Sequence, residues 1–185
     1  PDDEAKESFY NMAHGAKICL MQPGGFIEVY KKLKSEGTLM VLDMGWDENM
    51  SVEKYSDLLD TADIYTPNRK EALRITGAAN ENYAADAVKK YIDRVIVKVD
   101  KDGCIGIDNG ERFFVKSVEK FKNKDSTGAG DAFLAGLCYG LFYDYPLKDC
   151  IEFGNITGGK AVTAVGALSA YVTEKELLKL KEENY

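Results

Sequence analysis

The chain has 185 residues, 45% of them hydrophobic and 30% charged, the balance of an ordinary globular protein with enough length for one domain around a single core. Its formal net charge of −7 is carried by interspersed charges of both signs, with no basic run or stripe. That pattern argues against nucleic acid or an anionic membrane surface as partner and leaves room for a small anionic ligand held by a few local donors.

Residues Asp3 to His14 read as a short helix with an acidic start, and Lys17 to Met21 as a compact apolar strand. Pro23-Gly24-Gly25 breaks the chain, and Phe26 to Ser35 has helical spacing with Gly37 as a stop. Thr38 to Asp43 is a second buried strand ending in a carboxylate. Val52 to Asp60 reads as a helix, Ala62 to Tyr65 as a short strand, and Asn68 to Ile75 as a helix closed by Gly77. Asn80 can cap a helix over Glu81 to Tyr91. Arg94 to Val99 is the most strand-like segment. Gly103 to Ile107 and Arg112 to Val118 then flank Asn109-Gly110, a strong hairpin signal. Long helical segments follow at Ala129 to Tyr143 and Leu147 to Val165, and a polar helix at Glu174 to Glu183 ends the chain. Strands that are apolar throughout and alternate with helices predict an α/β fold: a mainly parallel sheet covered by helices on both faces, with a small antiparallel hairpin extension. Ligands of such sheets bind beyond the carboxyl ends of the strands, where Asp43, Pro67-Asn68, Asp100 and the segment before Ala129 fall.

No apolar run approaches the roughly 18 residues of a membrane span, and no signal peptide pattern opens the chain, so a cytoplasmic location is expected. The four cysteines, Cys19, Cys104, Cys138 and Cys150, form no CxxC pair and read as free thiols of a reducing compartment. The one histidine, His14, has no second ligand for a zinc site and reads as a helix-end residue.

The chemistry concentrates in Asp125-Ser126-Thr127-Gly128-Ala129-Gly130-Asp131, directly before an apolar helix. Close glycines let the backbone approach a bulky ligand, and the opening amides of a helix bind anions through free N–H groups and the positive dipole end. An aspartate in the first turn is stabilised as the anion and can take a proton from an attacking hydroxyl, an arrangement suited to phosphoryl transfer. The same residues also read as a plain capped helix after a turn, and spacing alone leaves both open. Gly154 to Ala161 comes one residue short of a P-loop. Alanine follows Lys160, so the magnesium-binding hydroxyl is missing, and the segment lies within a helical pattern.

DSTGAGDAF resembles the second signature of the PfkB (ribokinase-like) carbohydrate kinases, D-T-x-G-A-G-D, with Ser126-Thr127 a mild departure. The resemblance implies ATP-dependent phosphorylation of a sugar hydroxyl, with Asp131 as base and the amides of Gly128, Ala129 and Gly130 as the anion hole. Thr66 to Ala72 is similar to the family's N-x-x-E element, which implies that Asn68 and Glu71 act near Mg2+ and the phosphates through water; alone they read as a helix cap and a surface carboxylate. Val97 to Gly103 resembles the K-x-G-x-x-G segment that lines the nucleotide and implies contacts from Lys98, Asp100 and Gly103, with Asp100 in place of a glycine; a tight turn is the competing reading. Asn155 maps to a position beside adenine and ribose. Ala161 to Ala167 resembles the turn that, with Asp125 and Thr127, holds a monovalent cation in many members, which makes Asp125, Thr127, Ala161, Ala164 and Gly166 candidates for K+.

The resemblance covers essentially this whole chain and aligns it with the later part of a longer kinase. Most sugar contacts then lie outside the chain, which alone would turn over poorly. The full-length protein could form a homodimer through the family's lid. Fructose, ribose, 2-keto-3-deoxygluconate and nucleosides all stay open as substrates. The alternatives are a non-catalytic nucleotide-binding or assembly module, and a pyridoxal- or hydroxymethylpyrimidine-type vitamin kinase. The latter often carries G-T-G-D where this chain has Gly128-Ala129-Gly130-Asp131.

Overall fold

In the computed structural model, which describes residues 1–185, eight helices and six strands follow one another as α1 (Asp3–Ala13), β1 (Ile18–Met21), α2 (Ile27–Ser35), β2 (Leu39–Leu42), α3 (Ser56–Thr61), β3 (Ile64–Tyr65), α4 (Arg69–Thr76), α5 (Glu81–Val88), β4 (Arg94–Lys98), β5 (Gly103–Asp108), β6 (Glu111–Lys116), α6 (Ala129–Phe142), α7 (Leu147–Ala161) and α8 (Glu174–Asn184). The strands form one mixed, mostly parallel sheet in the order β1-β2-β3-β4-β5-β6, flanked by helices as the apolar strand runs require. The first four are parallel, with Ile18 opposite Leu39, Leu42 opposite Tyr65 and Tyr65 opposite Val95. Asn109-Gly110 joins β5 to β6 with φ of 48° and 88°, the paired positive values that a two-residue type I′ hairpin demands.

Two compact units divide the chain, residues 1–99 with 107–112 and residues 100–106 with 113–185. The centre of the first unit is the strand set Met21, Met40, Val41, Leu42, Ile64, Tyr65, Val95, Ile96 and Val97, all wholly buried. Helix α1 buries no residue. It is held through Phe9, edge-on to Phe26 and Tyr30 at centroid distances of 5.0 and 5.7 Å, and through Glu36, which accepts from the Tyr10 hydroxyl at 2.7 Å and lies 3.0 Å from His14 Nδ1. His14 is thus the helix-end residue expected. Helix α3 starts at Ser56 rather than Val52, because Lys54 and Tyr55 reach back to the Asp47 carboxylate and hold the preceding segment as a turn.

In the second unit α6 and α7 lie against each other through glycines: Gly136 and Gly140 face α7, and Gly154 and Gly158 face α6. Phe153 and Ile156 of α7 pack with Val118 and with Leu177 of α8, walled by Phe121, Tyr139, Val172 and Leu180. Lys181 of α8 reaches Glu152 at 2.6 Å and Asp149 at 3.6 Å. Helix α7 stops at Ala161, short of the expected Val165, because the Val162 carbonyl turns away to accept from the amides of Lys124 and Asp125. The four cysteines are free thiols, and no helix is long and apolar enough to cross a membrane.

Candidate active site

In the first unit the carboxyl ends of β2, β3 and β4 carry a polar cluster. Lys98, the last residue of β4, places its ammonium 3.4 Å from the Asp43 carboxylate just beyond β2, and both side chains are less than a fifth exposed. A β-bridge pairs Asn68 with Lys98, and the Lys98 amide donates to Pro67 at 2.9 Å. Helix α4 then opens with a full capping box. The Asn68 side chain accepts from the Glu71 amide at 3.0 Å, and Glu71 Oε2 accepts from the Asn68 amide at 2.9 Å. Glu71 is only 5% exposed. Burial pushes its carboxyl above the ordinary value, against the opposing pull of the Asn68 amide and Lys98. The predicted trio of Asn68, Glu71 and Lys98 therefore comes together, with Asp43 beside it. Tyr65, the end of β3, is wholly buried, and its phenolic oxygen has no hydrogen-bond partner within the chain. Sequence reasoning passed over it, because a tyrosine in an apolar strand reads as core.

In the second unit the segment before α6 is folded around Asp125. Its carboxylate accepts from the Thr127 amide at 3.0 Å, the Thr127 hydroxyl at 2.7 Å and the Gly166 amide at 2.8 Å. These donors, Gly166 first, hold its carboxyl below the ordinary value. Gly128 caps α6 at φ 75°, in the left-handed region, and a Cβ there would stand 2.6 Å from that of Ala167. The Ala129 amide is engaged by the Ser126 carbonyl at 3.2 Å. The amides of Gly128, Gly130 and Asp131 donate to no group of the chain, and Gly130 opens on free space. Asp131 is exposed in the first turn of α6, its carboxylate bonded to nothing within the chain. Asp125, Thr127 and Gly166 are thus joined directly. Ala161 closes α7, and Ala164 lies in the turn that follows it.

Asp100 takes φ 56°, a conformation glycine adopts freely and aspartate tolerates, which explains how it can stand where the related pattern has glycine. Gly103, at φ 121°, has no room for a side chain, since a Cβ would lie 2.8 Å from the Ser117 nitrogen and 2.9 Å from the Lys116 carbonyl carbon. Asn155 lies mid-helix in α7 and is buried. Its amide donates to Lys116 at 3.0 Å and Val115 at 3.4 Å, and its carbonyl accepts from the Cys104 thiol at 3.3 Å. No group of three or more His, Cys, Asp or Glu side chains gathers to hold a metal ion. A magnesium ion brought by nucleotide phosphates needs only one or two protein carboxylates, and the oxygen donors Glu71 and Asp43 fit that requirement.

Residues 26–174 match the model of the pfkB family carbohydrate kinases. Ribokinase of Arabidopsis thaliana is 29% identical over 161 residues, covering 83% of this chain and 42% of that protein. The ATP-dependent 6-phosphofructokinase of Thermoanaerobacterium thermosaccharolyticum is 32% identical over 130 residues, covering 68% of this chain and 39% of that enzyme. The chain therefore spans less than half the length of these curated relatives. Among solved structures, Arabidopsis thaliana ribokinase complexed with ribose and ATP superposes with a TM-score of 0.82 at 27% identity, covering 98% of this chain and 59% of that one. Burkholderia thailandensis nucleoside kinase in complex with inosine, at 18% identity and a TM-score of 0.81 over 98% of this chain and 62% of its own, shares the fold.

Proposed function

The chain belongs to the pfkB family of carbohydrate kinases, and on that premise we propose that the complete protein transfers the terminal phosphoryl group of ATP to a hydroxyl of a sugar or sugar-bearing substrate. The observation that carries this reading is the opening of α6, where unengaged backbone donors at Gly128, Gly130 and Asp131 stand beside an exposed carboxylate. Donors preset at a helix start stabilise the charge that accumulates on a transferring phosphoryl group without reorganising during reaction. Asp131 accepts the proton of the attacking hydroxyl from its exposed place in the first turn of α6. By resemblance, Lys98, Asp100 and Gly103 are the candidates toward the nucleotide, and Asn68 and Glu71 those toward the water shell of a phosphate-bound cation; Asn155, carried over with them, is buried and bonded to Lys116, Val115 and Cys104, so its role there would be to hold the segment and not to touch the ligand. Mg2+, when bound, supplies charge neutralisation across the phosphates. Asp125, Thr127, Ala161, Ala164 and Gly166 are the candidates for a monovalent cation such as K+, whose charge would add to the anion hole. The link to ATP rests on the complex of the Arabidopsis ribokinase with ribose and ATP, the link to sugars on the family and on the relatives named above.

The test is an ADP-release assay of the complete protein against a panel of pentoses, hexoses, hexose phosphates and nucleosides, followed by Asp131→Asn on the best substrate. Loss of a general base lowers kcat by about 10²–10⁴ while nucleotide affinity stays within about threefold. An Asp131→Asn enzyme with wild-type turnover would refute the reading, and ATP binding without acceptor-dependent ADP release would point to a non-catalytic nucleotide module.

A further inference from the structure

Trp46 is the one tryptophan of the chain, and it is 57% exposed, with its indole N–H bonded to nothing within the chain. A single exposed apolar side chain needs no explanation by itself. This one, however, is held in place. The loop that carries it, between β2 and α3, is pinned on both sides. Before it, the Asp43 amide donates to the Met21 carbonyl at 3.2 Å, and the Asp43 carboxylate meets Lys98 at 3.4 Å. After it, the Asp47 carboxylate accepts from the Tyr55 hydroxyl at 2.5 Å, from the Asn49 amide at 2.9 Å and from the Lys54 ammonium. The Glu48 carbonyl accepts from the Arg74 guanidinium at 2.7 Å. Between these pins Gly45 turns the chain at φ 68°. The Trp46 Cα is thus no more than about 11 Å from that of Asp43, three peptide units away. A ring on so constrained a loop loses little freedom when a ligand packs on it.

The loop lies beyond the carboxyl end of β2, the edge at which parallel sheets bind ligands. Along that edge the strands run β2, β3, β4. Lys98, ending β4, is the candidate toward the nucleotide, and Asn68 and Glu71, beyond β3, are those toward the cation on its phosphates. The next place in the row, beyond β2, is where an acceptor in line with the terminal phosphate would stand. An indole there offers a flat apolar face with a donor at its rim, which suits the C–H face of a sugar ring or a nucleobase. We propose that Trp46 is the stacking platform for the acceptor, packing its exposed face on the acceptor's ring. The proposal rests on the phosphotransfer reading above and deepens it at the step of acceptor recognition.

The experiment compares the complete protein with its Trp46→Ala and Trp46→Phe variants on ribose, fructose, fructose 6-phosphate, 2-keto-3-deoxygluconate and inosine. ADP release gives KM for each acceptor and for MgATP, and Tm and tryptophan emission are read alongside. On any acceptor that the wild type phosphorylates, Trp46→Ala should raise acceptor KM about five- to tenfold, the scale of losing one aromatic stacking platform. MgATP KM and Tm should stay unchanged, and Trp46→Phe should recover most of the loss. The same acceptor should shift the emission of the wild type and not that of Trp46→Phe. An effect confined to inosine assigns the stacking to the base, and one shared by the free sugars assigns it to the sugar face. An unchanged acceptor KM in Trp46→Ala overturns the proposal. So does a lowered Tm with no acceptor-dependent emission, which would mean that protein rather than substrate covers the ring. A wild type that releases no ADP with any of these acceptors removes the phosphotransfer reading itself, an outcome separate from failure at Trp46.

Discussion

Replacing Gly136 by alanine tests whether the α6–α7 seam positions the catalytic helix. Gly136 is buried at the middle of α6, and a methyl group there would lie 2.7 Å from the Phe153 carbonyl carbon and against the Phe153 carbonyl oxygen and Thr157 Oγ1. Unstrained carbon contacts need about 3.5–4.0 Å, so the helices must part by roughly 1 Å. Most of the obstructing atoms belong to the α7 backbone, which has no rotamer to change. The cost therefore falls in the upper part of the about 1–3 kcal/mol typical of overpacking. Alanine returns about 1 kcal/mol through its helix propensity, leaving a net loss of about 2 kcal/mol. For a chain of this size that lowers Tm by roughly 4–8 °C. Urea denaturation should show a lower midpoint at unchanged slope. A shift of about 1 Å at α6 also displaces Asp131 and its neighbouring amides, for which a loss of up to about 10²-fold in kcat is expected. A variant as stable as wild type, or more stable, would refute the claim that the glycine seam sets the helix position.

Two further substitutions separate folding from chemistry. Gly130→Ala meets nothing within 4 Å, so its Tm should match or slightly exceed wild type while kcat falls by about 10²–10³, the scale of a lost transition-state donor, because the methyl group stands where the anion would bind. Gly128→Ala should lose both, since it adds left-handed strain of about 1–2 kcal/mol to a 2.6 Å collision with Ala167. Equal stability of the two variants by differential scanning fluorimetry would contradict this reading. Lys181→Met strands the Glu152 carboxylate, which is 6% exposed, and should cost about 3–5 kcal/mol; adding Glu152→Met should recover most of it. Burial alone would lower the Lys181 ammonium, but Glu152 and Asp149 together hold it above 10.5. Its folded pKa is raised, so the contribution of the pair is fully present below that value and fades as the pH climbs through the raised one. The stability gap between wild type and Lys181→Met should therefore be flat from neutral pH to about 10 and close above it; a gap that stays open well above that pH would show the linkage to be misassigned.

Much of this protein was written in local pattern. Unbroken apolar runs at Met40–Leu42 and Val95–Val97 announce strands covered on both faces, Asn109-Gly110 announces its own hairpin, and Asn68 with Glu71 three residues on announces a capped helix. Each of these signals acts over a few residues, so no tertiary information is needed to read it. The limits of α3 and α7 were hidden because side-chain and carbonyl bonds to Asp47 and from Lys124 outcompete helix propensity there. The Gly-Ala-Gly run likewise did not reveal that Ser126 engages the Ala129 amide and leaves the amides of Gly128, Gly130 and Asp131 unbonded. Nor could it show that Asp125 and Gly166 are bonded across 41 positions, or that the tyrosine ending a buried strand keeps its hydroxyl without a partner in the chain. Composition and spacing select helix, strand and turn because those choices are local. Which atoms meet, and which polar groups are left without partners, is settled only when distant segments pack, because burial and hydrogen bonding between them depend on the whole fold.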